Sequence, residues 1–176
     1  MRSAEAIRSL LRNADDPLHL ERPHDFDLRV SARRFADLTG ALEERFGPAC
    51  ASGLYQDASI YGEVEVPAEA AGTDRPLWVQ MSNFGGFVTA GTRPWAEPGP
   101  TEGMTEQFVS WLDTMCVAAD CVFVPLDLLL EPYDGPSVLE EAYADEVLSS
   151  FATDEEGNDR EQTLPVVWAD RYFNWM

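Results

Sequence analysis

Lysine is absent from this chain. Its 176 residues carry twelve basic side chains, every one an arginine, against thirty-two Asp and Glu, for a formal net charge of -20 at pH 7. So little positive charge argues against phosphate-rich ligands, and direct binding of nucleic acid is not expected. Cysteine is also sparse. Cys50, Cys116 and Cys121 are an odd number in a chain of this size and point to the reducing cytoplasm rather than to a disulfide framework. No apolar run approaches the ~20 residues that a membrane span needs, so no membrane role is expected. The opening MRSAEAIRSLLRNADDPLHL has arginines but no apolar block ending in a small-residue cleavage site. It reads as an amphipathic helix, not a secretory signal.

Apolar residues are plentiful. They make up 45% of the chain, enough for a core, so the acidity does not signal disorder. The length suits one domain spanning 1–176. The charge is unevenly spread. Residues 1–50 are close to neutral, with Arg2, Arg8, Arg12, Arg22, Arg29, Arg33, Arg34 and Arg45 nearly balancing the acids. Beyond residue 50 only Arg75, Arg93, Arg160 and Arg171 remain, and that part carries nearly all of the -20. Solubility of a small domain asks for a net charge of about 2–8. The excess implies an acidic face or lobe that meets something basic, because charge of this kind governs association rather than fold.

Hydrophobic periodicity outlines the elements. Ile7, Leu10 and Leu11 predict a helix over 4–12. DFDLRV (25–30) alternates and predicts a strand. Ser31 then caps a helix whose stripe is Phe35, Leu38, Leu42 and Phe46, stopped by Gly47-Pro48. ASIYGEVEV (58–66), LWVQMS (77–82) and GFVTA (86–90) predict three strands of an antiparallel meander, with a turn at Asn83-Phe84-Gly85-Gly86. A helix follows over 105–119, then CVFV (121–124) as an edge strand or extended linker, then a helical turn over 125–130. Ser137 and Glu140 make a capping-box pattern for a helix bearing Leu139, Tyr143, Val147 and Phe151. The acidic stretch 153–162 completes a helix–loop elaboration around 137–163. Trp168, Tyr172 and Trp175 form an aromatic stripe that favours core over interface. The fold class is therefore α+β: an antiparallel sheet of about four to five strands with helices packed mainly on one face.

The sequence offers few groups for chemistry. Glu63 and Glu65 lie on one strand face about 7 Å apart, the separation of an acid/base pair, but alternating Glu on a strand is ordinarily its wet face. His19 and His24, with Asp25 and Asp27, match no zinc spacing. Cys116 and Cys121 sit in apolar surroundings that suit buried thiols. The glycines at 85–86 precede a strand, not the helix a phosphate cradle requires. No catalytic residue, metal ligand or cofactor is expected.

The closing Trp168-Ala169-Asp170-Arg171-Tyr172-Phe173-Asn174-Trp175, in a small acidic chain without catalytic motifs, resembles bacterial immunity proteins that neutralise polymorphic or contact-dependent toxins. The resemblance implies tight one-to-one binding that blocks a basic toxin's active site. The expected function is thus an acidic, non-catalytic inhibitor of a basic protein partner. The carboxylates expected to dock it are Glu140, Glu141, Asp145, Glu146, Asp154, Glu155 and Glu156, with Glu63 and Glu65 as a second patch. The alternatives are a DNA mimic, which needs carboxylates spaced like phosphates, and a scaffold or adaptor using the aromatic tail.

Overall fold

A computed structural model describes residues 2–55, 58–92, 104–136 and 166–173. Helix α1 (Ala4–Ala14) starts where the Ser3 hydroxyl accepts from the Ala6 N–H and buries Ile7 and Leu11. Helix α2 (Leu28–Phe46) overturns the strand expected over 25–30. Asp27, not Ser31, is its N-cap, and its carboxylate accepts from the Arg29 and Val30 N–H groups at 2.8 and 3.2 Å. Capping two orphan donors outweighs three alternating apolar residues. Ser31 is buried inside the helix, on the same side as Phe35, Leu38 and Leu42.

The sheet has five strands in the order β1-β2-β3-β4-β5. They are β1 (Ala51–Leu54), β2 (Ile60–Val66), β3 (Leu77–Ser82), β4 (Phe87–Thr92) and β5 (Val122–Phe123). The first four form an antiparallel meander; alternation predicts β2, β3 and β4 of it, and β1 is an additional strand. β5 runs parallel to β4, because helix α4 (Glu106–Ala118) carries the chain back across the sheet between them. α4 ends in a Schellman motif. Cys121 N–H donates to Cys116 O and Asp120 N–H to Val117 O, with Asp120 in the left-handed region at φ 56°. The β3–β4 hairpin closes through Phe87 N–H to Phe84 O, with Gly85 and Gly86 both at positive φ. That is the chirality a tight hairpin needs.

Two cores flank the sheet. On one face, Phe35, Leu38 and Leu42 of α2 and Phe108, Leu112 and Cys116 of α4 pack on Val64, Val66, Leu77, Val79, Met81, Val88 and Ala90. The two longest helices therefore share a face. The other face is covered too. Ile7 and Leu11 of α1, Leu126 and Leu129 of α5 (Leu126–Leu129), and Trp168 and Tyr172 of α6 (Trp168–Tyr172) enclose Ile60, Trp78, Phe84 and Phe87. A short helix α3 (Ala68–Ala71) bridges β2 and β3.

Simple alternation along β2 places Ile60 with Val64 and Val66, and the structure differs. The register with β3 slips between Ile60 and Gly62, so Tyr61 joins the α2 side and Ile60 the other. A one-residue irregularity reverses every side chain before it. Gly62 is required there: a Cβ would lie 2.7 Å from both Gly53 O and Phe35 Cζ.

Candidate functional site

Of the carboxylates expected to dock a partner, Glu140, Glu141, Asp145, Glu146, Asp154, Glu155 and Glu156 lie outside the described residues, with the rest of the 137–163 elaboration. Glu63 and Glu65 are described, and Glu63 is not on a wet face. It is 7% exposed, because helices and loops cover this side of the sheet as well. Its register partner Gln80 donates from Nε2 to Glu63 Oε2 at 2.7 Å, and Thr89 stands opposite Gln80 on β4. The three make a polar row across the central strands. Gln80 Oε1 and Thr89 Oγ1 are buried there without a hydrogen-bond partner among the described residues. Pairing Glu63 with an amide offsets part of the cost of burying a carboxylate. Glu65, two positions along, is half-buried and lies directly across from Ala51. The expectation of Glu63 as an accessible docking group is therefore corrected, and Glu65 is the more accessible of the two.

The arginines explain much of the surface charge. Arg8 on α1 makes a bidentate pair with Glu131, at 2.8 and 2.7 Å, and Arg12 pairs with Asp134 at 2.7 Å. Arg34 on α2 pairs with Asp120. Arg171 is wholly buried and its Nε donates to Asp15 at 2.7 Å, while its other nitrogens donate to the carbonyls of Asp16, His19 and Leu20. Its guanidinium also lies 4.1 Å from the centre of the Phe84 ring. These hydrogen bonds hold the carboxyl groups of Glu131, Asp134 and Asp120 below their ordinary range. Arg45 is spent differently, over the Trp111 ring at 4.5 Å. Meanwhile Glu43, Glu44, Glu69, Asp74, Glu106 and Asp127 are exposed and make no ion pair among the described residues.

Compared with known proteins, the chain matches no family model, no curated protein and no solved structure.

The other candidates resolve into structural roles. His19 Nδ1 contacts Asp16 at 3.0 Å, and the His24 backbone N–H donates to the same carboxylate at 2.8 Å. Asp16 thus organises its own loop, and the His19 contact, reinforced by that backbone bond, lowers its pKa. No group of three metal-ligating side chains occurs among the described residues. Burial pushes the Cys121 thiol up to about 11 and the Cys116 thiol higher still, so both stay protonated and unreactive. Trp168 and Tyr172 are buried and stacked at 5.7 Å, which makes this part of the aromatic stripe core rather than a docking face. Among the described residues no helix is long and apolar enough to cross a membrane.

Sequence reasoning missed the Glu63–Gln80–Thr89 row and the Arg171 centre. The row was findable in principle. Gln80 occupies an alternate position in LWVQMS, and β2–β3 pairing brings it to Glu63. The pairing of Arg171 with Asp15 joins residues 156 positions apart and leaves no local trace.

Proposed function

We propose that this protein is an acidic, non-catalytic inhibitor of the immunity type, working in the cytoplasm, which binds a basic toxin and covers its active site. The observation that carries the reading is how the charges are distributed. Arg8, Arg12, Arg34 and Arg171 are engaged with acids of the same chain, while Glu43, Glu44, Glu69, Asp74, Glu106 and Asp127 stay exposed and unpaired among the described residues. Internal pairing thus neutralises only part of the acids, and most of those left over, Glu63 apart, face solvent. Such a field raises the rate of capture of a basic partner by about 10–10³-fold, which suits an inhibitor that must act before harm is done. Inhibition is by occlusion. Carboxylates pair with Arg and Lys of the toxin around an apolar anchor, and the rim charges set the on-rate and its salt dependence.

The test is affinity capture from the protein's own organism, lysate and secreted fraction, at low and high salt. A single basic partner, associating more slowly as salt rises, supports the reading. Absence of a basic partner at either salt overturns it. Reversing the charge of Glu140, Glu141, Asp145, Glu146, Asp154, Glu155 and Glu156 together then tests the principal patch: unchanged binding removes it as the docking face.

A further inference from the structure

The two edges of the sheet are finished differently. β5 is two residues long and is followed closely by Pro125, which has no N–H to offer a neighbour. β1 is four residues long and carries no such protection. Ala51-Ser52-Gly53-Leu54 has neither charge nor proline, pairs with β2 without a bulge, and is exposed at every residue. Along a strand every second residue turns its N–H and C=O away from the existing neighbour. Among the described residues no backbone pairs with that outer side of β1. Leu54, 64% exposed, is an apolar side chain with nothing packed over most of it.

The surroundings of this edge are acidic. Glu43 lies near enough to Cys50, the residue before the strand, for its charge to act on that thiol. Glu44, its neighbour along α2, is exposed; Glu65 stands across from Ala51 but already has an interaction of its own. We propose that β1 is the docking edge for an extended basic segment of the partner, which joins the sheet as an added strand. This rests on the acidic-inhibitor reading. The β1 backbone supplies the ladder, Leu54 the apolar contact, and Glu43, together with the large negative charge of the chain, the attraction for Arg or Lys. A second copy of this chain is the poorer occupant, because pairing two β1 edges brings together two chains of net charge -20.

The probe is a peptide of alternating arginine and valine, used plain and N-methylated throughout. Methylation keeps the charge and removes every backbone donor. Affinities are measured by calorimetry, and amide hydrogen exchange is followed at residues 51–54, with and without peptide. The expected result is that the plain peptide binds about tenfold or more tightly than the methylated one, the equivalent of one to two backbone hydrogen bonds, and slows exchange at 51–54. Equal binding of both forms without protection at 51–54 overturns the edge while leaving the acidic reading standing. Failure of both forms to bind also overturns the edge, and the acidic reading is then judged by the capture experiment. Protection at 51–54 in the protein alone, together with a dimer by sedimentation, overturns it in favour of self-pairing.

Discussion

Arg171 holds more of the structure together than any other single side chain described. It fixes the link between α1 and α2 through Asp15 and three carbonyls, and Asp15 in turn accepts from the Tyr133 hydroxyl at 2.6 Å. Replacing it leaves the Asp15 carboxylate buried without its counter-charge, with the Tyr133 hydroxyl still donating to it. Arg171→Met is expected to lower stability by about 3–5 kcal/mol, read from the midpoint of denaturant unfolding, with no rescue by lysine, which cannot reach the same fork of acceptors. A milder loss is expected at Tyr172, whose hydroxyl donates to Leu11 O at 2.6 Å: Tyr172→Phe costs about 1 kcal/mol in the same measurement. Neither role was legible in the sequence. Arginine is ordinarily a surface residue, and the stripe of Trp168 and Tyr172 drew attention to the rings beside it. What the stripe did disclose, that these rings belong to the core, follows from helical spacing alone.

Among elements, legibility tracked side-chain chemistry. β3 was readable to its ends because LWVQMS is a short, mostly apolar run containing Trp78 and Val79 and bounded by turn signals at Pro76 and Asn83. β1 was invisible because Ala, Ser and Gly have little strand preference, and β2 pairing alone makes them a strand. The start of α2 was misread because Phe26, Leu28 and Val30 alternate, whereas Asp27 decides the matter by capping. Asp27→Ala is therefore expected to reduce stability by about 1 kcal/mol, measured by thermal or urea unfolding. The attachment of α1 carries a pH dependence. Its arginines hold Glu131 and Asp134 below the usual carboxylate range, so the folded state binds fewer protons there than the unfolded one. The stabilisation is complete above about pH 5 and is lost as pH falls through the lower folded values. An acid titration of Glu131→Gln/Asp134→Asn is expected to show a shallower loss of stability below pH 4 than the unaltered chain.

For the whole molecule, the net charge was plain from composition, and the α+β class from the order of the periodic segments. The placement of individual acids was not: Glu63 went to the interior because a second layer of helices covers its face of the sheet. A net charge of -20 also repels itself. Added salt screens that repulsion and, at the same time, the attraction to a basic partner. The expected outcome is two opposite trends over one salt series: the thermal midpoint rises while the association rate with the captured partner falls. A midpoint that falls with salt would mean that the internal arginine pairs outweigh the repulsion.

The Arg171–Asp15 tie has a consequence for synthesis. The second core needs α1 at one end of the described chain and α6 at the other. While the polypeptide is still being made, Ile7, Leu11, Trp78, Phe84 and Phe87 must wait, uncovered on one side, until residues 168–173 have left the ribosome. Among the described residues the α2–α4 face draws on nothing beyond β5, so that part of the core is in place earlier. Each newly made copy therefore passes through a half-closed stage with an oily surface on view, and its heavy negative charge opposes contact between such copies until α6 covers that surface.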